Sequence, residues 1–129
     1  MSGLKPVSWM NRHFADTRRS ARLRGFEWKI SKKQFIRLVS QNCFYCGVEP
    51  EVRRIRVNCR DRVTMEAYHG IDRKDSGVGY EMRNLVPCCS KCNRLKSSFS
   101  FRDFLKAVED IFFHAVLGSG SSFSQKKRI

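Results

Sequence analysis

An α+β fold, a ββα unit held by metal and flanked by helices, follows from three features of this 129-residue chain. Two cysteine pairs at metal-knuckle spacing, Cys43-Phe-Tyr-Cys46 and Cys89-Ser-Lys-Cys92, stand far apart in sequence. Between them, residues 67–75 and 84–87 read as two strands joined through Ser76-Gly-Val-Gly79, and a helix begins near Ser90. Apolar residues at helical spacing mark further helices on both sides. Four thiolates suit a closed tetrahedral zinc site. The separation of the pairs is too wide for a minimal ribbon, so the intervening chain must be structured in its own right.

From the N-terminus, Ser8 caps a predicted helix reaching Arg24, with Gly25 as its stop. Met10, Phe14 and Ala21 give it only a thin apolar stripe, so residues 1–25 read as a basic arm carrying Arg18, Arg19, Arg22 and Arg24. Phe26-Glu-Trp28-Lys-Ile30 alternates as a short strand does. Ser31-Lys-Lys-Gln34 forms a capping box for a helix with Phe35, Leu38 and Val39 on one face. Gly47 supplies the backbone freedom that a knuckle needs. Residues 48–66 read as an exposed loop or short strand with phosphate contact as their only assigned role. Ser100-Phe-Arg-Asp103 caps a last helix whose Phe104, Leu105, Val108, Ile111, Phe112 and Val116 are expected to pack in the core. The zinc-containing domain is placed at 26–117, and the Ser/Gly-rich stretch 118–129 with Lys126, Lys127 and Arg128 as a disordered basic tail.

Composition narrows the function. The chain has 26 Lys+Arg against 12 Asp+Glu, a formal charge of +14. That excess points to a polyanion, because neutralising phosphates releases counterions. No apolar run approaches a bilayer span, and there is no lipidation motif, which disfavours a membrane partner. The start, Met1-Ser-Gly-Leu-Lys-Pro6, lacks the apolar stretch of a secretory signal. A cytoplasmic protein is therefore expected, and metal ligation is favoured over disulfides for its cysteines. Cys59 and Cys88 are left over; Cys88 is an alternative to Cys89 as ligand, though at poorer spacing.

The residues Cys43, Cys46, Ile71, Asp72, Arg73, Asp75, Gly79, Tyr80, Asn84, Leu85, Val86, Pro87, Cys89, Cys92, Asn93 and Lys96 together resemble the HNH endonucleases, in particular small phage-encoded homing-type members. The resemblance implies a ββα-metal core, hydrolysis of DNA phosphodiester bonds, and a catalytic Mg²⁺ or Mn²⁺ beside the structural Zn²⁺. It implies that Asp72 and Asn93 hold the catalytic cation and that Asn84 braces the loop around the site. It also implies a phage-infected bacterial cell as the setting.

One position departs from the pattern. Where the resemblance puts a histidine base, this chain has Arg73, whose guanidinium does not deprotonate in the working range. Arg73 is then a candidate phosphate clamp. His69 and Asp75 are candidate bases, His69 only if a bulge turns it toward Asp72. Arg18, Arg19, Arg22, Arg24, Lys32, Lys33, Lys91 and Lys96 are candidate contacts to nucleic acid. The expected partner is double-stranded DNA, met by a monomer or weak dimer. A zinc-dependent nucleic-acid-binding module without catalysis is the rival reading, and a redox protein a third.

Overall fold

The computed structural model describes residues 4–56 and 63–118. The chain divides into two compact units, residues 1–95 and 96–129. The expected tail after Gly118 and the leftover Cys59 lie outside the described residues.

The first helix, α1 (Leu4–Leu23), is not a detached arm. Its Met10, Phe14 and Ala21 are buried in one cluster with Ile30, Phe35, Leu38, Val39, Ile71, Tyr80 and Leu85. A thin stripe suffices because aromatic rings fill the space: Phe14 meets Trp28 and Phe35 edge-on, at 5.7 and 5.5 Å between centroids. Basic residues remain on the outer side, with Arg19 and Arg22 exposed. Gly25 ends the helix through the bond from its N–H to the Arg22 carbonyl.

Residues 26–30 do not form a full strand. A single parallel bridge joins Trp28 to Tyr80, with Lys29 N–H donating to Tyr80 and Tyr80 N–H to Glu27. Gly79 is required beside it, since a Cβ there would stand 3.0 Å from the Glu27 carbonyl oxygen. Helix α2 (Lys32–Val39) carries the expected capping box: Ser31 accepts from Gln34 N–H, and the Gln34 side chain reaches back to the Ser31 N–H. Phe35, Leu38 and Val39 are its buried face.

Residues read as an exposed loop or short strand contribute to a two-stranded antiparallel ribbon, β1 (Val52–Arg56) with β2 (Val63–Ala67), registered Val52 to Ala67 and Arg56 to Val63. β-branched residues among the arginines supply strand preference despite the charge. The second hairpin pairs β3 (Gly70–Arg73) with β4 (Leu85–Cys88), Gly70 opposite Cys88 and Asp72 opposite Val86. A 3₁₀ turn, Met82–Asn84, leads into β4. Helix α3 (Ser90–Lys96) follows at once and completes the expected ββα order.

In the second unit, α4 (Phe101–Ile111) starts at Ser100, which accepts from Asp103 N–H, and continues as a π-helical stretch over Phe112–Gly118. The expected core stripe is not realised: Phe104 is buried, whereas Leu105, Val108, Ile111 and Phe112 are exposed.

Phe35 is fully buried and central to that cluster. Phe35→Ala is expected to cost about 3–5 kcal/mol of unfolding free energy, read from urea denaturation of the zinc-loaded protein.

Candidate metal centre and nuclease site

The Sγ atoms of Cys43, Cys46, Cys89 and Cys92 lie within 4.8 Å of one another. Tetrahedral zinc–thiolate bonds of roughly 2.3 Å separate sulfurs by about 3.8 Å, and Cys46 and Cys89 stand at 3.8 Å. Backbone N–H groups also turn inward, from Cys89 to the Cys43 sulfur and from Cys92 to the Cys89 sulfur, each at 3.4 Å. Gly47, at φ +80°, lets the first knuckle close. Burial raises the Cys43 thiol, but the N–H groups of Cys46, Cys89 and Tyr45 outweigh it and bring the thiol to about 6. Burial and the neighbouring sulfurs push Cys92 up. Such a cluster holds four thiolates together only around a cation, and the donor set fits zinc.

Cys88 stands outside this cluster. It is buried, points its S–H at the Cys89 carbonyl at 3.5 Å, and is raised first by burial and then by the charge of Asp72. Cys89, not Cys88, has its sulfur within the four-thiol cluster.

Alternation along the second hairpin separates two faces. Ile71 and Leu85 face the aromatic core. Gly70, Asp72, Val86 and Cys88 occupy the opposite face. There Asp72 is buried, with 7% exposure, and Tyr45 donates its hydroxyl to Asp72 Oδ2 at 2.8 Å. Tyr45 lies inside the first knuckle, so the zinc site and the Asp72 carboxylate share a structural element. Burial and the Asp72 bond both push the Tyr45 hydroxyl up, which keeps it a donor. Arg53, Gly70, Cys88, Ser90, Asn93 and Arg94 line a hollow of about 280 Å³ on this side of the hairpin. Asn93 is exposed near the start of α3.

Asn84 is buried and ties the loop after β3. Its Oδ1 accepts from Asp75 N–H at 3.0 Å, and its Nδ2 donates to the carbonyls of Asp75, Val78 and Gly79 at 3.0–3.2 Å. Arg73 closes the same loop. Its guanidinium donates to the carbonyls of Ser76 and Val78 and lies 3.7 Å from the centre of the Phe26 ring. Asp75 is exposed, with Oδ1 accepting from Gly77 N–H.

His69 sits just before β3 with no exposed surface. Its Nε2 donates to the Val48 carbonyl at 3.0 Å, while Nδ1 faces Glu51 Oε1 at 3.8 Å. Glu51 is held low by the Ser90 hydroxyl at 2.7 Å and by Arg53. The regular pairing of β3 with β4 begins at Gly70, one residue after His69. Of the other residues expected to meet nucleic acid, Lys32, Lys33 and Lys91 are exposed and Lys96 is buried. Arg24 donates to the Tyr80 hydroxyl at 2.6 Å, and Arg18 stacks on Phe14.

Tyr45, Glu51, Arg53 and Arg94 were not singled out from sequence. For Tyr45 the signal was its place within the CxxC; for the others no local pattern distinguishes them from surface charge.

A solved structure with the same architecture is that of the rare-cutting HNH restriction endonuclease PacI, at TM-score 0.54 and 24% identity, over 92% of this chain and 80% of that one. The fold is that of an HNH endonuclease. No protein-family profile matches the chain. An uncharacterised protein of Acanthamoeba polyphaga mimivirus is 33% identical over 82 residues, which is 64% of this chain. The match spans only 13% of the length of that viral protein. Within the HNH fold, no helix of the described residues is long and apolar enough to cross a membrane.

The thiol geometry makes a direct prediction. Cys89→Ser is expected to lose stoichiometric zinc, and Cys88→Ser to keep it, by elemental analysis of the purified variants. Because zinc binding in such sites is worth on the order of 10 kcal/mol, chelation should unfold the first unit, seen as loss of near-UV ellipticity.

Proposed function

We propose that the protein is a metal-dependent endonuclease that hydrolyses phosphodiester bonds of double-stranded DNA. The observation that carries this reading is the buried Asp72 carboxylate, oriented by Tyr45 on the hairpin face where Asn93 lines a hollow flanked by Arg53 and Arg94. Asp72 and Asn93 are the oxygen donors for Mg²⁺ or Mn²⁺, a pairing suited to hard cations. When bound, that cation stabilises charge on the scissile phosphate and leaving oxygen.

The chain's own residues do the rest. Arg94, exposed on the lining of the hollow, attracts and seats the phosphate, while Arg53 beside it is held by Glu51 and the Tyr68 carbonyl. Tyr45 fixes the rotation of the Asp72 carboxylate. Asn84 and Arg73 hold the loop that presents Asp75, so Arg73 acts as a loop lock rather than as a phosphate clamp. Asp75, exposed at that loop, takes the proton of the attacking water. Water adds to phosphorus as the bond to the leaving oxygen breaks, and the leaving oxygen takes a proton from solvent, giving one phosphate-bearing end and one hydroxyl end. His69, buried and bonded to Val48, pins the start of β3. The phage and homing elements of the expectation rest on the sequence resemblance alone.

A second reading is favoured by one observation. Arg73 stands where the resemblance places a histidine base, and its guanidinium is committed to loop carbonyls. On that reading the domain binds nucleic acid without cutting.

Conversion of supercoiled plasmid to open circles separates the two. Wild type should nick with Mg²⁺ or Mn²⁺, and Asp72→Ala should fall by at least about a hundredfold while still shifting the plasmid, a loss of the size expected when an electrostatic catalytic group is removed. Equal nicking by Asp72→Ala removes the metal assignment, and plasmid binding without nicking by wild type supports the second reading. Tyr45→Phe keeps the ring but removes the hydroxyl. It should weaken Mn²⁺ binding, measured by electron paramagnetic resonance, with zinc content unchanged.

A further inference from the structure

The β1–β2 ribbon has two faces of opposite character. On one, Arg53 turns back to the body: its Nε donates to the Tyr68 carbonyl at 3.1 Å, its NH2 to Glu51 at 3.0 Å, and its guanidinium lies 4.5 Å from the centre of the Tyr68 ring. Glu66, opposite Arg53 in the register, stands at a position of this same face. The other face carries Val52, Arg54, Val63 and Met65. Val52 is 67% exposed, Met65 57% and Val63 45%, and Arg54 is exposed beside them. Register and alternation put only Val52, Arg54, Arg56, Val63, Met65 and Ala67 at the positions of this face, with no acidic residue among them.

A face that mixes arginine with exposed aliphatic side chains suits neither a solvated edge nor a protein core. Its charge is complementary to a polyanion, and its apolar groups need a partner with apolar surface between the anions. The major groove of B-form DNA offers both: phosphates along its walls, and thymine methyls with the O6 and N7 acceptors of guanine on its floor. Two paired strands are about 4.8 Å apart, and a groove about 12 Å wide admits such a ribbon. The deep, narrow major groove of A-form RNA does not.

We propose that the β1–β2 ribbon enters the major groove of duplex DNA through the face of Val52, Arg54, Val63 and Met65 and sets the sequence preference of the protein. This rests on the reading that the polyanion is DNA, but not on cleavage. Arg54 is the hydrogen-bonding reader, and Val63 and Met65 supply contacts to methyl groups. Arg53 on the reverse face anchors the ribbon beside the hollow that holds Asn93, so groove binding and phosphate seating share one element.

The test uses the full zinc-loaded chain without added magnesium. Duplexes are selected from a randomised pool, and the selected site is probed with dimethyl sulfate, which methylates guanine N7 in the major groove. Wild type should recover a preferred sequence and protect N7 within it. Arg54→Ala should lose that protection and bind the preferred site roughly tenfold or more weakly, while its affinity for unrelated duplex changes far less. Val63→Ser with Met65→Ser should relax the preference at A·T positions. All three positions are exposed, so unchanged zinc content and circular dichroism are expected and are checked alongside. Protection in the minor groove only, equal affinity for double-stranded RNA, or an Arg54→Ala variant that selects the same sequence would each overturn the inference. A chain that never nicks yet shows Arg54-dependent protection leaves it standing and removes the nuclease reading alone.

Discussion

The convergence of four sulfurs ties together the elements that carry the candidate site. Cys43 and Cys46 lie just after α2, and Cys89 and Cys92 follow β4, so their meeting fixes the knuckle against the hairpin and the root of α3. A buried cluster of thiols is unfavourable in itself, because the first thiolate raises its neighbours. A divalent cation reverses that sign and turns mutual repulsion into the strongest tie in the first unit. Tyr45 follows from this directly. Carried by the same knuckle, it reaches Asp72 on β3 and fixes a carboxylate that would otherwise be buried at a cost.

The second hairpin works as a partition. Its core-facing side, with Ile71 and Leu85, joins the aromatic cluster of α1, Trp28 and α2. Its other side carries Asp72 and Cys88 toward the knuckle and the hollow beside Asn93. The loop at its end is rigid for a stated reason: Asn84 and Arg73 together satisfy the carbonyls of Asp75, Ser76, Val78 and Gly79. Such satisfaction is what an irregular loop needs in order to hold one geometry. Arg73 serves there as a planar donor that bridges two carbonyls and stacks on Phe26.

Sequence reading succeeded where the signal is local and chemical. The CxxC spacing, the Ser31–Gln34 capping box and the strand–strand–helix order each depend on few residues, and the structure has them. It fell short where the outcome depends on what lies across space. Three apolar residues on α1 looked too few for a core helix, yet Trp28 and Phe35 meet Phe14 from other elements. The stripe on α4 has core periodicity, but periodicity does not say whether a partner surface exists. His69 has the right chemistry for a base, but its burial against Val48 and Glu51 cannot be read from the sequence. The arginines of 52–67 hid a ribbon, because pairing with a second strand is invisible to composition.

The central claim is that Asp72 and Asn93 hold one divalent cation for phosphodiester hydrolysis. A crystal structure of the chain with duplex DNA and Mn²⁺, with anomalous scattering recorded at the manganese edge, tests it most directly. The account predicts a manganese peak about 2.1 Å from oxygens of both side chains, as suits a small octahedral cation, and touching a phosphate oxygen. A peak bound elsewhere, or DNA seated with no manganese between Asp72 and Asn93, would contradict it.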